Sequence, residues 1–201
     1  MGKRIIFAAV LSGIAMFLWS SVAHMVLPLG ETGLREIPNE KAVLDSMHAS
    51  MGETSGLYFY PGMGLPPDAT RDQKRAAMQQ YDQKLAGNPS GILIYHPPGA
   101  KGFTAGRLVT EFLTELAEAL IVIFLLAQTR LVSFGSRVAF VTLAGVMAAI
   151  TTNVPYWNWY GFPGNYTAAY MTVDIVGYLV VGIVAALVLG KVAPKTASAT
   201  A

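Results

Sequence analysis

The stretch that decides the fold runs from Leu108 to Gln128 and reads LVTEFLTELAEALIVIFLLAQ. Its length matches the roughly 17–25 residues needed to cross a bilayer core, yet it carries Glu111, Glu115 and Glu118. At about 100° per residue these three acids fall within roughly 60° of one another and form a single stripe. An ionised carboxylate in hydrocarbon costs about 2.5–3.5 kcal/mol even on the lenient insertion scale. A helix that keeps three of them must turn the stripe towards other protein, so the segment predicts one member of a membrane bundle.

Three further stretches suit the same environment: Ile5 to Leu27, ended by Pro28; Val138 to Val154, ended by Pro155; and Ala168 to Gly190. The composition agrees, with 53% apolar and only 13% charged residues against roughly 25% charged in an ordinary soluble domain. The mean hydropathy is +0.46. A net charge of +2 is too small to suggest a nucleic-acid partner. The absence of cysteine excludes disulfides, thiolate metal sites and a thiol nucleophile. No nucleophile elbow, phosphate-binding loop, dinucleotide fingerprint or haem-attachment motif is present.

The bases set the orientation. Lys3 and Arg4 precede the first span, Arg130 and Arg137 lie between the second and third, and Lys191 and Lys195 follow the fourth. Four spans place all six on one side without an accompanying acid, and the positive-inside rule makes that side cytoplasmic. The expectation is residues 1–28 as the first membrane helix, 29–107 as an extracytoplasmic cap, 108–190 as the other three helices and 191–201 as a cytoplasmic tail. Lys3-Arg4, the apolar run and Ser21-Val22-Ala23 also have the layout of a cleavable signal peptide, but the run is long for one.

The long loop is balanced, with eight Lys/Arg and eight Asp/Glu. It is too long for an idle connection and predicts a small α+β cap. Asn39 is placed to cap a helix from Glu40 to about Ser50, whose apolar face is Val43, Leu44, Met47 and Met51. Thr70 and Gln73 match a capping box for a second helix over Arg71–Ala86, stopped by Gly87 and Pro89. Two similar segments, Gly56–Tyr60 and Gly91–Tyr95, read as five-residue strands that pair, in a sense the sequence leaves open. His48 and His96 also belong to the cap, where a lone histidine is usually solvated or hydrogen-bonded.

From Pro155 to Tyr166 the chain reads PYWNWYGFPGNY. This predicts an aromatic loop: an interfacial belt, where amphipathic rings sit at headgroup level, or a partner surface carried by Trp157, Trp159, Tyr160 and Phe162.

Of the twelve acids, the four outside the long loop are Glu111, Glu115, Glu118 and Asp174, all within predicted spans. Counted from the span ends at about 1.5 Å per residue, the three glutamates lie roughly 4, 10 and 15 Å deep, Asp174 roughly 9 Å and His24 roughly 6 Å. These depths place His24, Glu111, Glu115 and Asp174 all in the outer leaflet, where they would meet if their helices turn these faces to one another, with Glu118 nearer the midplane. Three explanations compete. The first is a divalent metal on His24, Glu111, Glu115 and Asp174, although Glu-x-x-x-Glu-x-x-Glu lacks the Glu-x-x-His pairs of di-iron bundles. The second is a cluster of acids that holds or relays protons. The third is a structural network in which Glu111 pairs with Arg107, His24 meets Glu115 or Asp174, and Tyr170 or Tyr178 bonds Asp174. No acid or base lies in the cytoplasmic half of any span, which argues against a complete transmembrane relay.

The stretch Ser21-Val22-Ala23-His24-Met25-Val26-Leu27-Pro28-Leu29-Gly30-Glu31, together with Tyr95-His96-Pro97-Pro98-Gly99, resembles an uncharacterised family of small bacterial four-span membrane proteins. The resemblance implies a bacterial inner membrane and a four-helix fold, and implies no activity. The functional expectation is a non-enzymatic accessory or assembly component. Its partners would be the lipid bilayer and other membrane subunits or a second copy, docked through the cap and the aromatic loop. The alternative is an outer-leaflet cation-binding or proton-handling site.

Overall fold

The computed structural model describes residues 2–190; the predicted tail 191–201, with Lys191 and Lys195, lies outside them. The chain is mostly helical, in the order α1 (Lys3–Met25), α2 (Glu40–Met51), β1 (Gly56–Tyr60), α3 (Arg71–Gly87), β2 (Gly91–Tyr95), α4 (Ala105–Ala127), α5 (Phe134–Tyr160) and α6 (Gly164–Leu189). Residues 35–102 form one compact unit, and the described residues on either side of them form the other.

In the larger unit α1 packs on α4 and α6, α6 packs on α5, and α4 touches α5 and α6 only lightly. Small residues set the close approaches. A Cβ on Gly13 would lie 2.9 Å from the Leu116 Cα, and one on Gly145 would lie 2.3 Å from the Tyr178 Cβ. These glycines let α1 close on α4 and α5 close on α6, the role small residues have in membrane-type packing. The core of Ala9, Met16, Val122, Ile123, Val141 and Val181 fills the half of the unit that holds the N-terminus of α1 and the C-terminus of α4.

Among the described residues three helices, α1, α5 and α6, are long and apolar enough to cross a membrane. The expectation was four. The difference is α4, which carries three glutamates along its length, more charge than a helix of that length ordinarily takes across a bilayer. Its burial is nonetheless inverted relative to a soluble helix. Val109, Leu113, Ile121, Phe124 and Leu125 are exposed, while Glu115 is buried with Ala119, Val122, Ile123 and Leu126. On α1 the exposed residues Phe7, Val10, Ile14, Leu18, Val22 and Met25 form an apolar stripe along the whole helix, far more than a soluble surface usually leaves in water.

The third predicted span is corrected at its end. Helix α5 does not stop before Pro155 but runs 27 residues through it to Tyr160, and its C-cap Gly161 is left-handed at φ 71°. Proline removes one helical N–H and crowds the carbonyl four residues back, a cost that apolar helices absorb through local adjustment. The predicted aromatic loop is therefore largely helix end, and only Gly161, Phe162 and Pro163 connect α5 to α6.

In the smaller unit β1 and β2 pair antiparallel, Leu57 opposite Ile94 and Phe59 opposite Ile92. Both halves of the α3 capping box are made, Gln73 N donating to Thr70 Oγ1 at 3.3 Å and Thr70 N to Gln73 Oε1 at 2.8 Å. Asn39 occupies the N-cap position of α2 but makes no side-chain cap; it is left-handed at φ 54°, a conformation asparagine tolerates better than most residues. The apolar face of α2 finds little cover, since no residue of this helix is buried.

Candidate functional site

His24 lies in the last turn of α1, Glu111, Glu115 and Glu118 follow one another along α4, and Asp174 is the eleventh of the 26 residues of α6. The structure brings all five to one cavity of about 240 Å³, lined also by Trp19, Ser20, Thr114, Tyr170 and Gly177. That volume accommodates several waters at about 30 Å³ each. No Lys or Arg is among the described residues that line it.

Glu115 is the least exposed of the four acids. It is 5% exposed, Ser20 lies beside it, and its Oε2 is buried without a hydrogen-bond partner among the described residues. Asp174 Oδ2 accepts from Asn153 Nδ2 at 2.9 Å, and Asn153 also donates to the Ala149 carbonyl at 3.0 Å. Tyr178 lies beside Glu118. The His24 Nδ1 is 2.9 Å from the Ser20 carbonyl oxygen, which orients the ring and leaves Nε2 for another partner. Trp19 Nε1 donates to the Val173 carbonyl at 2.9 Å and ties α1 to α6 beside Asp174. A second cavity, of about 290 Å³, shares Ser20, His24 and Glu111 with the first and is lined further by Phe103, Arg107 and Leu108.

Several expected pairings are replaced. Glu111 and Arg107 line the second cavity together without an ion pair; among the described residues the one ion pair is Lys41–Asp45. Asp174 takes Asn153 as its partner instead of Tyr170 or Tyr178. Asn153 was legible as the lone amide of the third span, but only the packing of α5 on α6 aims it at Asp174. Tyr170 instead sets its edge against His24, with centroids 5.9 Å apart, and stacks on Tyr166 at 4.3 Å. Tyr166 continues to Phe162, and Phe162 to Tyr156.

The metal expectation on His24, Glu111, Glu115 and Asp174 meets a geometric obstacle. Although these residues share the cavity, no three His, Asp or Glu among the described residues come close enough to hold an ion. Asp174 is turned to Asn153, and the glutamates are spread along more than one turn of α4.

Of the aromatic candidates, Trp157, Trp159 and Tyr160 are exposed at the end of α5, Trp159 most of all at 78%. Phe162 belongs to the ring series that ends at His24. In the smaller unit His48 Nδ1 lies 3.4 Å from the Tyr95 hydroxyl, which donates to the Gly52 carbonyl at 2.8 Å. His48 and His96 line a separate apolar groove of about 470 Å³ with Ile37, Leu44 and Ile94.

Fold and site together define a mostly helical protein with three candidate membrane spans, a small two-stranded sheet and an acid-lined cavity. No known protein-family model, curated protein or solved structure matches the chain.

Proposed function

We propose that this is an integral membrane protein in which α1, α4, α5 and α6 all cross the bilayer as a four-helix bundle, and that its acid cavity binds and exchanges protons with the outer side. The observation that carries the reading is the Glu115 oxygen, buried and unpartnered in a cavity lined by three further carboxylates and, among the described residues, by His24 but no Lys or Arg. Carboxylates one helical turn apart, at ~6 Å, repel by about 3 kcal/mol at an effective dielectric of ~20. Four such charges require positive charge, and without a converged ligand set protons supply it better than a divalent metal. His24 and Glu111, shared with the adjoining cavity, form the access side; Glu115 holds the proton; Glu118 and Asp174 complete the cluster. The apolar core beyond Glu118 ends the path, so the site loads from one side and does not conduct.

Infrared spectroscopy on the purified protein tests this. The expected spectrum contains a protonated-carboxyl band at neutral pH that Glu115→Gln weakens. A wild-type spectrum without that band, identical to that of the variant, overturns the proposal. Divalent metal above trace level in wild type, lost in Glu115→Gln/Asp174→Asn, restores the metal reading. In the proposed topology the bacterial inner membrane holds the protein, Arg4, Arg130 and Arg137 face the cytoplasm, and residues 35–102 lie outside. A cysteine placed by Arg75→Cys, in a chain that has no other, reacts with an impermeant reagent applied from outside; protection until the membrane is breached refutes it.

A second reading has its own support. The exposed Trp157 and Trp159, and a cap whose Leu44, Leu57, Phe59 and Ile94 are exposed, favour an accessory component that docks a membrane partner. A stable larger complex on gentle purification, lost on Trp157→Ser/Trp159→Ser, is its expected outcome.

A further inference from the structure

We infer that the end of the long helices opposite the acid cavity holds the phosphate of an anionic glycerophospholipid. A cavity of about 450 Å³ opens there between the start of α1, the end of α4, the start of α5 and the end of α6. Arg4, Arg130 and Arg137 line it, and no acid does so among the described residues. The remaining wall is mainly apolar, with Ile5, Leu126, Leu131, Val132 and Leu189. Positive charge above an apolar wall fits an amphiphilic anion: the guanidiniums match a phosphate in planar, bidentate geometry, and the wall matches the upper part of an acyl chain. Basic pockets between membrane helices on the cytoplasmic side recognise such headgroups, and the positive-inside orientation assigns this end to that side.

The arginines are positioned by the fold and retain donors. Arg4 Nε donates to the Val188 carbonyl at 2.9 Å. Arg137, 5% exposed, donates from Nε to the Leu131 carbonyl at 3.0 Å and from Nη1 to the Gly190 carbonyl at 2.6 Å. The bonds to Val188 and Gly190 neutralise the negative end of α6, and the three together fix two guanidiniums at the cavity. Of its five N–H donors each, Arg4 spends one and Arg137 two. Arg130 makes no hydrogen bond to another described side chain or backbone group and can turn fully to a ligand. The site is separate from the proton cavity and shares with that reading only the membrane setting. Lipid retention is measured on the purified protein, so its outcome is independent of Glu115→Gln.

The test is competitive retention. Delipidated protein is equilibrated with mixed micelles of phosphatidylglycerol and phosphatidylcholine, and bound lipid is counted by native mass spectrometry. Wild type retains phosphatidylglycerol preferentially, and Arg4→Gln/Arg130→Gln reduces the preference about thirtyfold. Arg130→Gln alone, which breaks no internal bond, reduces it by a smaller factor; Arg107→Gln, at the other end, leaves it intact. Arg137 is kept because it holds α6. Equal retention of the two lipids in wild type overturns the inference, as does a preference that survives the double variant. Saturable binding of inorganic phosphate with no lipid preference overturns it in favour of a free anion.

Discussion

Gly145→Ala sets two effects of opposite sign against each other. Alanine in place of a helical glycine favours the helix by about 0.8–1 kcal/mol on intrinsic propensity. The structure opposes this: the new methyl would sit 2.3 Å from the Tyr178 Cβ and 2.6 Å from its Cγ. Both atoms lie close to the α6 backbone, so no rotation of the tyrosine clears the space, and α5 and α6 must move apart. They must separate by at least the difference between 2.3 Å and the 3.0 Å below which real Cβ contacts essentially never fall. Overpacking of this kind costs about 1–3 kcal/mol, and a clash this deep belongs at the upper end. The net expectation is destabilisation by about 1–2 kcal/mol, which for a chain of this size lowers Tm by roughly 2–8 °C. Thermal unfolding in detergent, followed by near-ultraviolet circular dichroism, reads it. Gly135→Ala, on the same helix with nothing within 4 Å of the new methyl, provides the control and should be neutral or slightly stabilising. Gly145→Ala in a Tyr178→Gly background, which removes the Cβ that the new methyl meets, should recover most of its loss. Stabilisation by Gly145→Ala in the wild-type background, matching propensity alone, would refute the close packing of α5 on α6.

Asn153→Leu removes the amide that faces Asp174 and leaves a half-buried acceptor without its protein partner; the expected loss is about 1 kcal/mol, much smaller when Asp174→Leu is already present, as a double-variant cycle of unfolding midpoints would register. Thr70→Ala breaks the capping box of α3 and costs about 0.5–2 kcal/mol; hydrogen exchange should quicken in the first turn of α3 while α1, α4, α5 and α6 keep their protection, and uniform quickening would count against two separate units.

Much of this arrangement is carried by local chemistry and is readable without coordinates. Thr70 and Gln73 cap α3 because a hydroxyl and an amide three residues apart satisfy each other's backbone donors. The strands Gly56–Tyr60 and Gly91–Tyr95 are bounded by glycine and proline, and their residues are aromatic or branched. The acid stripe on α4 follows from the helical repeat. Pro155 misleads for the same reason: its effect on an isolated helix is to stop it, and only the surroundings allow α5 to continue to Tyr160.

By itself the sequence determined that the carboxylates of α4 share one face, that the bases flanking the apolar stretches group without acids, and where the helices and strands of residues 35–102 begin. Only the tertiary structure decided what the acids meet. Helix rotation and neighbour order depend on contacts between segments, such as Gly13 against Leu116 and Gly145 against Tyr178, and the period of a single helix contains no record of them. Those contacts place His24 and Asp174 in the cavity of the acid stripe, deliver Asn153 to Asp174, and draw Arg4 and Arg137 to the last carbonyls of α6.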